Sequence, residues 1–175
     1  MTASDTMIPD AHSIKEVFNF DVSRDCFGCG PDNPIGLHMR FFTDGEKLVS
    51  FLQVPRHHCG WSSIVHGGIV TTILDETMSW TAHHLIKKLI LTKSIHIDFH
   101  RPVHVARDIR CEGRIKAVNS PREAVMDAVI YDDSGNKCAT GQGTFALLTP
   151  AVARRLGVIE ERVVKNFENF ILKNS

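Results

Sequence analysis

At 175 residues the chain has room for one domain with a sizeable apolar core, not for two independent ones. Hydrophobic residues at 43% and charged residues at 23% exclude a disordered chain, and twenty Lys plus Arg against twenty Asp plus Glu leave no concentrated positive footprint for nucleic acid. No stretch reaches the length of a membrane span, the N-terminus lacks the basic start and apolar run of a signal peptide, and the odd number of cysteines fits a reducing compartment, so cytoplasmic residence is expected.

Residues 1–12 read as a loose tail, followed over 13–20 by a short helix or extended arm anchored on Ile14, Val17 and Phe18. From Cys26 to Gly36, Gly and Pro recur too densely for regular structure, while Cys26, Phe27, Cys29 and Ile35 give the loop apolar anchors. Two strands are expected at 37–42 and 47–54, joined by a turn at 43–46. A polar and aromatic loop over 56–63 then leads through Ile64-Val65-His66-Gly67-Gly68 into a helix expected over 69–86. Its apolar residues, among them Ile69, Val70, Ile73, Leu74, Met78 and Trp80, cover more than one face, which predicts burial on most sides.

Beyond the helix, Ile95, Ile97 and Phe99 alternate with His96, Asp98 and His100, the period of a strand with one core face, and Pro102 ends the run. Further strands are expected at 104–117, 123–131 and 137–148, with a turn at 132–136. Pro150 opens a terminal helix in which Val152, Leu156, Ile159, Val163 and Phe167 recur at helical spacing. This divides the chain into a tail or short helix (1–24), an α+β domain (25–149) and a helical extension (150–175). One helix faced by one antiparallel sheet leaves a sheet edge or face seeking a partner, so an oligomer is expected.

Asp75 stands out because it interrupts an apolar helix, where a carboxylate must be paired, hydrogen-bonded, protonated or chemically active. A structural ion pair satisfies the same pattern. Glu76 points about 100° further round the helix, so the two acids need not share a site. At the helix start, Gly67 and Gly68 admit an oxygen-bearing ligand to amides that have no intrahelical partner, although a tight turn also explains two glycines. Gly67 and Asp75 are separated by roughly 12 Å of helical rise, too far for one subunit to bring both to one carbonyl; a second, antiparallel subunit closes that gap. His66 is read either as orienting ligand or water or as bonded to the backbone, and Thr92 either as holding a water beside the carboxylate or as a local structural hydroxyl.

Cys26 and Cys29 have the spacing of half a zinc site, which His38, His57, His58 or Cys59 would have to complete. A packed loop is the simpler account, and no metal is assigned to the chemistry. His96, Asp98 and His100 share a strand face and are read as a solvated or intersubunit surface.

Together, Cys26-Phe27-Gly28-Cys29-Gly30-Pro31-Asp32-Asn33-Pro34-Ile35-Gly36-Leu37, then Val65-His66-Gly67-Gly68 with Asp75, then His100-Arg101-Pro102-Val103 resemble the hot-dog thioesterases of the PaaI type over residues 26–148. The resemblance implies a long central helix wrapped by a curved antiparallel sheet. It also implies subunits joined edge to edge as a homodimer, possible pairing of dimers into a tetramer, and active sites across each dimer interface. Carried over by position, Asp75 is the general base or nucleophile, the Gly67 amide of the opposite subunit polarises the thioester carbonyl, and Thr92 positions water or the acid. Gly60 stands where some relatives have Asn, and Glu76 beside Asp75 is a competing carboxylate.

The implied substrate is an acyl-coenzyme A, with no further cofactor. Gly68, Glu76, Lys93 and Arg101 are candidate substrate contacts, and Arg107 and Arg110 are further basic residues near the phosphates. The alternatives are a non-catalytic hot-dog protein that binds acyl-CoA or another amphipathic ligand, a purely structural oligomer, and a hydratase-like enzyme of the same fold.

Overall fold

The apolar run after His66 forms helix α1 (Gly67–Thr81), continued by a π-helical turn over Ala82–Ile86. In the computed structural model, which describes residues 14–17 and 24–173, Val70, Ile73, Leu74, Met78 and Trp80 of α1 are all buried. Thr77 and Thr81 lie among them, and their hydroxyls donate to the carbonyls of Ile73 and Thr77 at 2.8 and 2.7 Å, so the helix satisfies its own buried polar atoms.

Among the described residues seven antiparallel strands make one sheet around α1. These are β1 (Lys15–Glu16), β2 (Phe41–Thr43), β3 (Leu48–Gln53), β6 (Leu89–Phe99), β7 (Asp108–Ser120), β8 (Glu123–Tyr131) and β9 (Lys137–Leu148), and they lie in the order β1-β2-β3-β7-β8-β9-β6. A separate small hairpin pairs β4 (Cys59–Trp61) with β5 (Ile64–Val65). Helix α1 touches β3, β6, β7, β8 and β9, so the sheet wraps it in the hot-dog arrangement. Ala124, Met126, Ala128 and Ile130 alternate inward along β8 and are buried. On β7 the helix comes so close that a Cβ at Gly113 would lie 2.4 Å from Thr81 Oγ1, and only glycine fits there.

Strands β8 and β9 have the bounds expected from the sequence, and other elements differ for identifiable reasons. The expected strand over 37–42 shrinks to β2, because the Leu37 and Met39 amides donate to the carbonyls of Phe27 and Gly28 in the cysteine loop and His38 takes a left-handed φ of 49°. The strand expected from residue 104 begins at Asp108, since Ala106 is still turning with φ 57° and donates its amide to Val54. The single terminal helix is two, α2 (Pro150–Leu156) and α3 (Glu161–Lys173), divided where Gly157 caps α2 in the left-handed region. The arm expected over 13–20 is extended at β1, with Val17 buried; the tail 1–12, Ser13 and Phe18 lie outside the described residues.

Helix α3 packs Phe167 and Phe170 against the far end of α1, where the rings of His83 and Phe167 are 5.9 Å apart and Lys87 Nζ lies 4.8 Å from the Phe170 centroid. Strand β6 closes the other side of the sheet. It pairs with β9 along its whole length, from Leu89 to Phe99, and its outer edge has no partner strand among the described residues. Leu91 and Phe99 are 39% and 59% exposed on this strand, a long edge of the kind that proteins cover or pair.

His83 is buried with Nδ1 2.8 Å from the Lys88 carbonyl, and desolvation holds its pKa down to about 4, against 6.5 ordinarily. The unfolded chain therefore takes up this proton first, so the His83 contribution to stability is present above pH 6.5 and is lost as pH falls toward 4. Between pH 7 and 5 the loss expected from this one group is about 2 kcal/mol. Urea denaturation of wild type and His83→Gln at both pH values checks it: the gap between the two proteins should narrow on acidification, and a gap independent of pH would show that His83 does not titrate on unfolding.

Candidate active site

Asp75 sits half-buried on α1 and accepts a hydrogen bond from Thr92 Oγ1 at 3.0 Å on Oδ1. Oδ2 accepts none among the described residues. Desolvation pushes the Asp75 carboxyl above its ordinary range, and the Thr92 hydrogen bond pulls in the opposite direction. Thr92 reaches the helix because β6 carries a bulge between Thr92 and Ser94. Without the extra residue, strict alternation back from Ile97 and Ile95 would turn Lys93 and Leu91 inward; with it, Ile90, Ile95 and Ile97 pack on the core and Thr92 faces Asp75.

At the start of α1, His66 is the N-cap, and its Nδ1 accepts the Gly68 amide at 2.9 Å. That bond assigns the proton of a neutral His66 ring to Nε2. The amides of Ile69 and Val70 donate to the His66 carbonyl at 2.9 and 3.1 Å. Of the first four helix amides, Gly67 alone has no partner among the described residues. Beside it opens a groove of about 440 Å³ lined by Gly67, Val70, Phe99, Arg101, Pro102 and Val103.

The remaining candidates divide sharply. Arg101 lies in the Gly67 groove, whereas Lys93 is ion-paired with Glu123 on the neighbouring surface. Arg110 is paired with Glu112 and stacked over Tyr131, and Arg107 lies 3.8 Å from Asp133. Glu76 leaves the Asp75 side altogether: Trp80 Nε1 donates to its Oε1 at 3.1 Å, Cys26 Sγ lies 3.7 Å away, and burial pushes its carboxyl up to about 7. Glu76 thus touches the cysteine loop and Trp80.

Cys26 and Cys29 sit in a packed loop, as expected. His38 Nδ1 is 3.0 Å from the Gly30 carbonyl, and none of His38, His57, His58 and Cys59 joins the two sulfurs; Glu76 does. Its signal in the sequence was the i, i+4 spacing of Glu76 and Trp80 on one helix flank. His96 and Asp98 pair with each other at 3.4 Å and His100 with Thr140 at 2.9 Å, on an exposed face.

Residues 63–139 match the family model described as the thioesterase superfamily. Over those residues the chain is similar to the thioesterase superfamily. Verlamelin biosynthesis protein B of Lecanicillium sp is 25% identical over 134 residues, which are 61% of this chain and 58% of that protein. A solved thioesterase superfamily protein superposes with a TM-score of 0.64 at 22% identity, over 71% of this chain and 61% of its own. The E. coli PaaI protein from the phenylacetic acid degradation operon gives 0.58 at 16% identity, covering 64% and 80%. A hypothetical thioesterase protein solved with coenzyme A, from Streptococcus pneumoniae, gives 0.56 at 16%, covering 59% and 80%. The hot-dog domain thus shares its fold with these structures, and the family match contains the motif histidine, both acids and Thr92.

Replacing His66 with Ala removes the acceptor of the Gly68 amide and is expected to cost about 1 kcal/mol of stability. Thermal denaturation reads this directly, and His66→Asn, which restores a capping oxygen, should recover most of it.

Proposed function

We propose that the protein hydrolyses acyl-CoA thioesters as a homodimer joined along β6, with Asp75 of one subunit and Gly67 of the other serving one site. The observation that carries this reading is the half-buried Asp75 carboxylate held on one oxygen by Thr92 at the sheet edge. Such a group has one oxygen fixed and the other able to take a proton from water.

Water attacks the thioester carbonyl as Asp75 accepts its proton, and the oxyanion that develops meets the free Gly67 amide at the positive end of α1. Collapse of that intermediate breaks the carbon–sulfur bond and releases a carboxylate and the coenzyme A thiol. Within one chain Gly67 and Asp75 are separated by roughly 12 Å of helix, which is why the site needs a second copy. The edge of β6 beside Thr92, unpartnered among the described residues, supports that assembly, and its exposed Phe99 would be covered by it. Arg101 in the Gly67 groove is the basic residue best placed for a CoA phosphate. The coenzyme A in the Streptococcus pneumoniae structure supports this substrate class.

Free coenzyme A released from a panel of aliphatic and aromatic acyl-CoAs, followed by chromatography, tests the proposal. Asp75→Asn is expected to lower kcat about 10²–10⁴-fold while the dimer persists. Equal release by both proteins would remove Asp75 from the reaction, and protection by acyl-CoA against unfolding without release would favour a binding protein.

The pH–rate profile carries a second expectation. Activity should fall on the acid side at a pKa above the ordinary 3.8 of an aspartate, because desolvation raises Asp75. Thr92→Val removes the bond that holds the carboxylate ionised, so the acid limb should move further up in pH. A shift downward would contradict the assigned contact.

A further inference from the structure

The cysteine loop is absent from the proposed hydrolysis, yet it is built against the same helix. One ligand atom each from Cys26, Cys29 and Glu76 lies within 4.8 Å of the others, and Cys26 Sγ is 3.7 Å from Glu76 Oε1. A tetrahedral ion with metal–sulfur and metal–oxygen bonds of about 2.3 and 2.0 Å sets its ligand atoms roughly 3.5–3.8 Å apart. The three groups therefore need to close by no more than about 1 Å to share one ion.

The surroundings hold this spacing. The Gly30 amide donates to the Cys26 carbonyl at 2.9 Å and closes the turn between the sulfurs. The Gly28 and Cys29 amides point at the Cys26 sulfur. A Cβ at Gly28 would lie 2.6 Å from Glu76 Cδ, so a larger residue would push the carboxylate aside. From the next helical turn, Trp80 Nε1 fixes the carboxylate orientation, the role that outer hydrogen bonds play around metal ligands. A groove of about 580 Å³ along Pro31, His38, Met39, Phe41 and Trp80 reaches Cys29 and gives an ion a way in.

We propose that Cys26, Cys29 and Glu76 bind one thiolate-preferring divalent metal ion of the zinc class, with a fourth position open to water from this groove. Charge favours an ion over a Cys26–Cys29 disulfide. Glu76 accepts from Trp80 Nε1 and from the Cys26 thiol, neither of them a cation. A disulfide would leave that carboxylate sunk beneath the loop without a counter-charge, whereas a cation compensates all three ligands. On binding, the Cys26 and Cys29 thiols give their protons to solvent, as does Glu76 when protonated. The ion would clamp the loop to α1 one residue from Asp75, whether or not the protein hydrolyses thioesters.

Cobalt(II) titration of the reduced, chelator-treated full chain tests this. The expected result is one equivalent per chain, with the charge-transfer band of thiolate–cobalt bonds and the visible bands of a tetrahedral site, both abolished by zinc. The double variant Cys26→Ser/Cys29→Ser should lose the charge-transfer band, each single variant should weaken it, and Trp80→Phe should keep it with about 10–100-fold weaker affinity. Cys59→Ser, at an exposed thiol, should behave as wild type. Zinc should raise the thermal midpoint of wild type and not that of Cys29→Ser. Because a cysteine variant can fail to fold, the wild-type titration decides by itself: a folded, reduced wild type without the charge-transfer band overturns the proposal. So does a band that survives in the double variant, or a Cys26–Cys29 disulfide that forms in place of metal uptake.

Discussion

Enclosure of α1 by the sheet is the constraint from which the other features follow. A helix touched by five strands has few directions in which a polar side chain can escape, and each polar residue on it answers in its own way. Thr77 and Thr81 fold back on the helix carbonyls. His83, at the far end, stays neutral against the Lys88 carbonyl. Asp75 and Glu76, adjacent in sequence, leave on different flanks, one toward Thr92 and one toward the cysteine loop, and both carboxyl groups are pushed upward chiefly by desolvation. The helix therefore carries its chemistry where the wrapping is incomplete, at the sheet edge and under the loop.

The sheet edge has a second consequence. Thr92 belongs to β6, whose other side pairs with β9 throughout, so the strand that orients Asp75 is also one whose outer edge has no partner strand among the described residues. In the proposed dimer, covering that edge and completing the site are one event. The bulge at Thr92–Ser94 serves both, since it turns a hydroxyl toward the helix and re-phases the strand so that Ile95 and Ile97 still face the core.

How far the sequence could be read depended on whether a feature was periodic or depended on packing. The alternation in β8, the turn before β9 and the all-round apolar helix carry their own signatures, and Asp75 was conspicuous because a carboxylate is costly inside such a run. Thr92 looked like a residue ahead of a strand because one inserted residue hides the period that links Ile90 to Ile95. The true start of β2 was hidden as well, since what stops it is a pair of hydrogen bonds from Leu37 and Met39 to a loop ten residues earlier. The surroundings of Glu76 were hidden for the same kind of reason: an angle of about 100° around a helix says that two acids diverge, not what each of them meets.

The divergence of these two acids ties the loop to the edge. Asp75 and Glu76 occupy consecutive positions on one rigid helix, so rotation or sliding of α1 moves both carboxylates together. A hydrogen bond of 3.0 Å between Thr92 and Asp75 weakens steeply with displacement or misalignment, and little motion is needed to release it. On the opposite flank, Glu76 is fixed by Trp80 from within the helix and by the loop resting on it, where a Cβ at Gly28 would already collide with the carboxylate. The loop thus holds the helix from the flank that carries Glu76. The dense Gly and Pro punctuation of residues 26–36 then has a physical purpose, because a regular strand or helix there could not bring its backbone down onto a buried carboxylate while also accepting the Leu37 and Met39 amides.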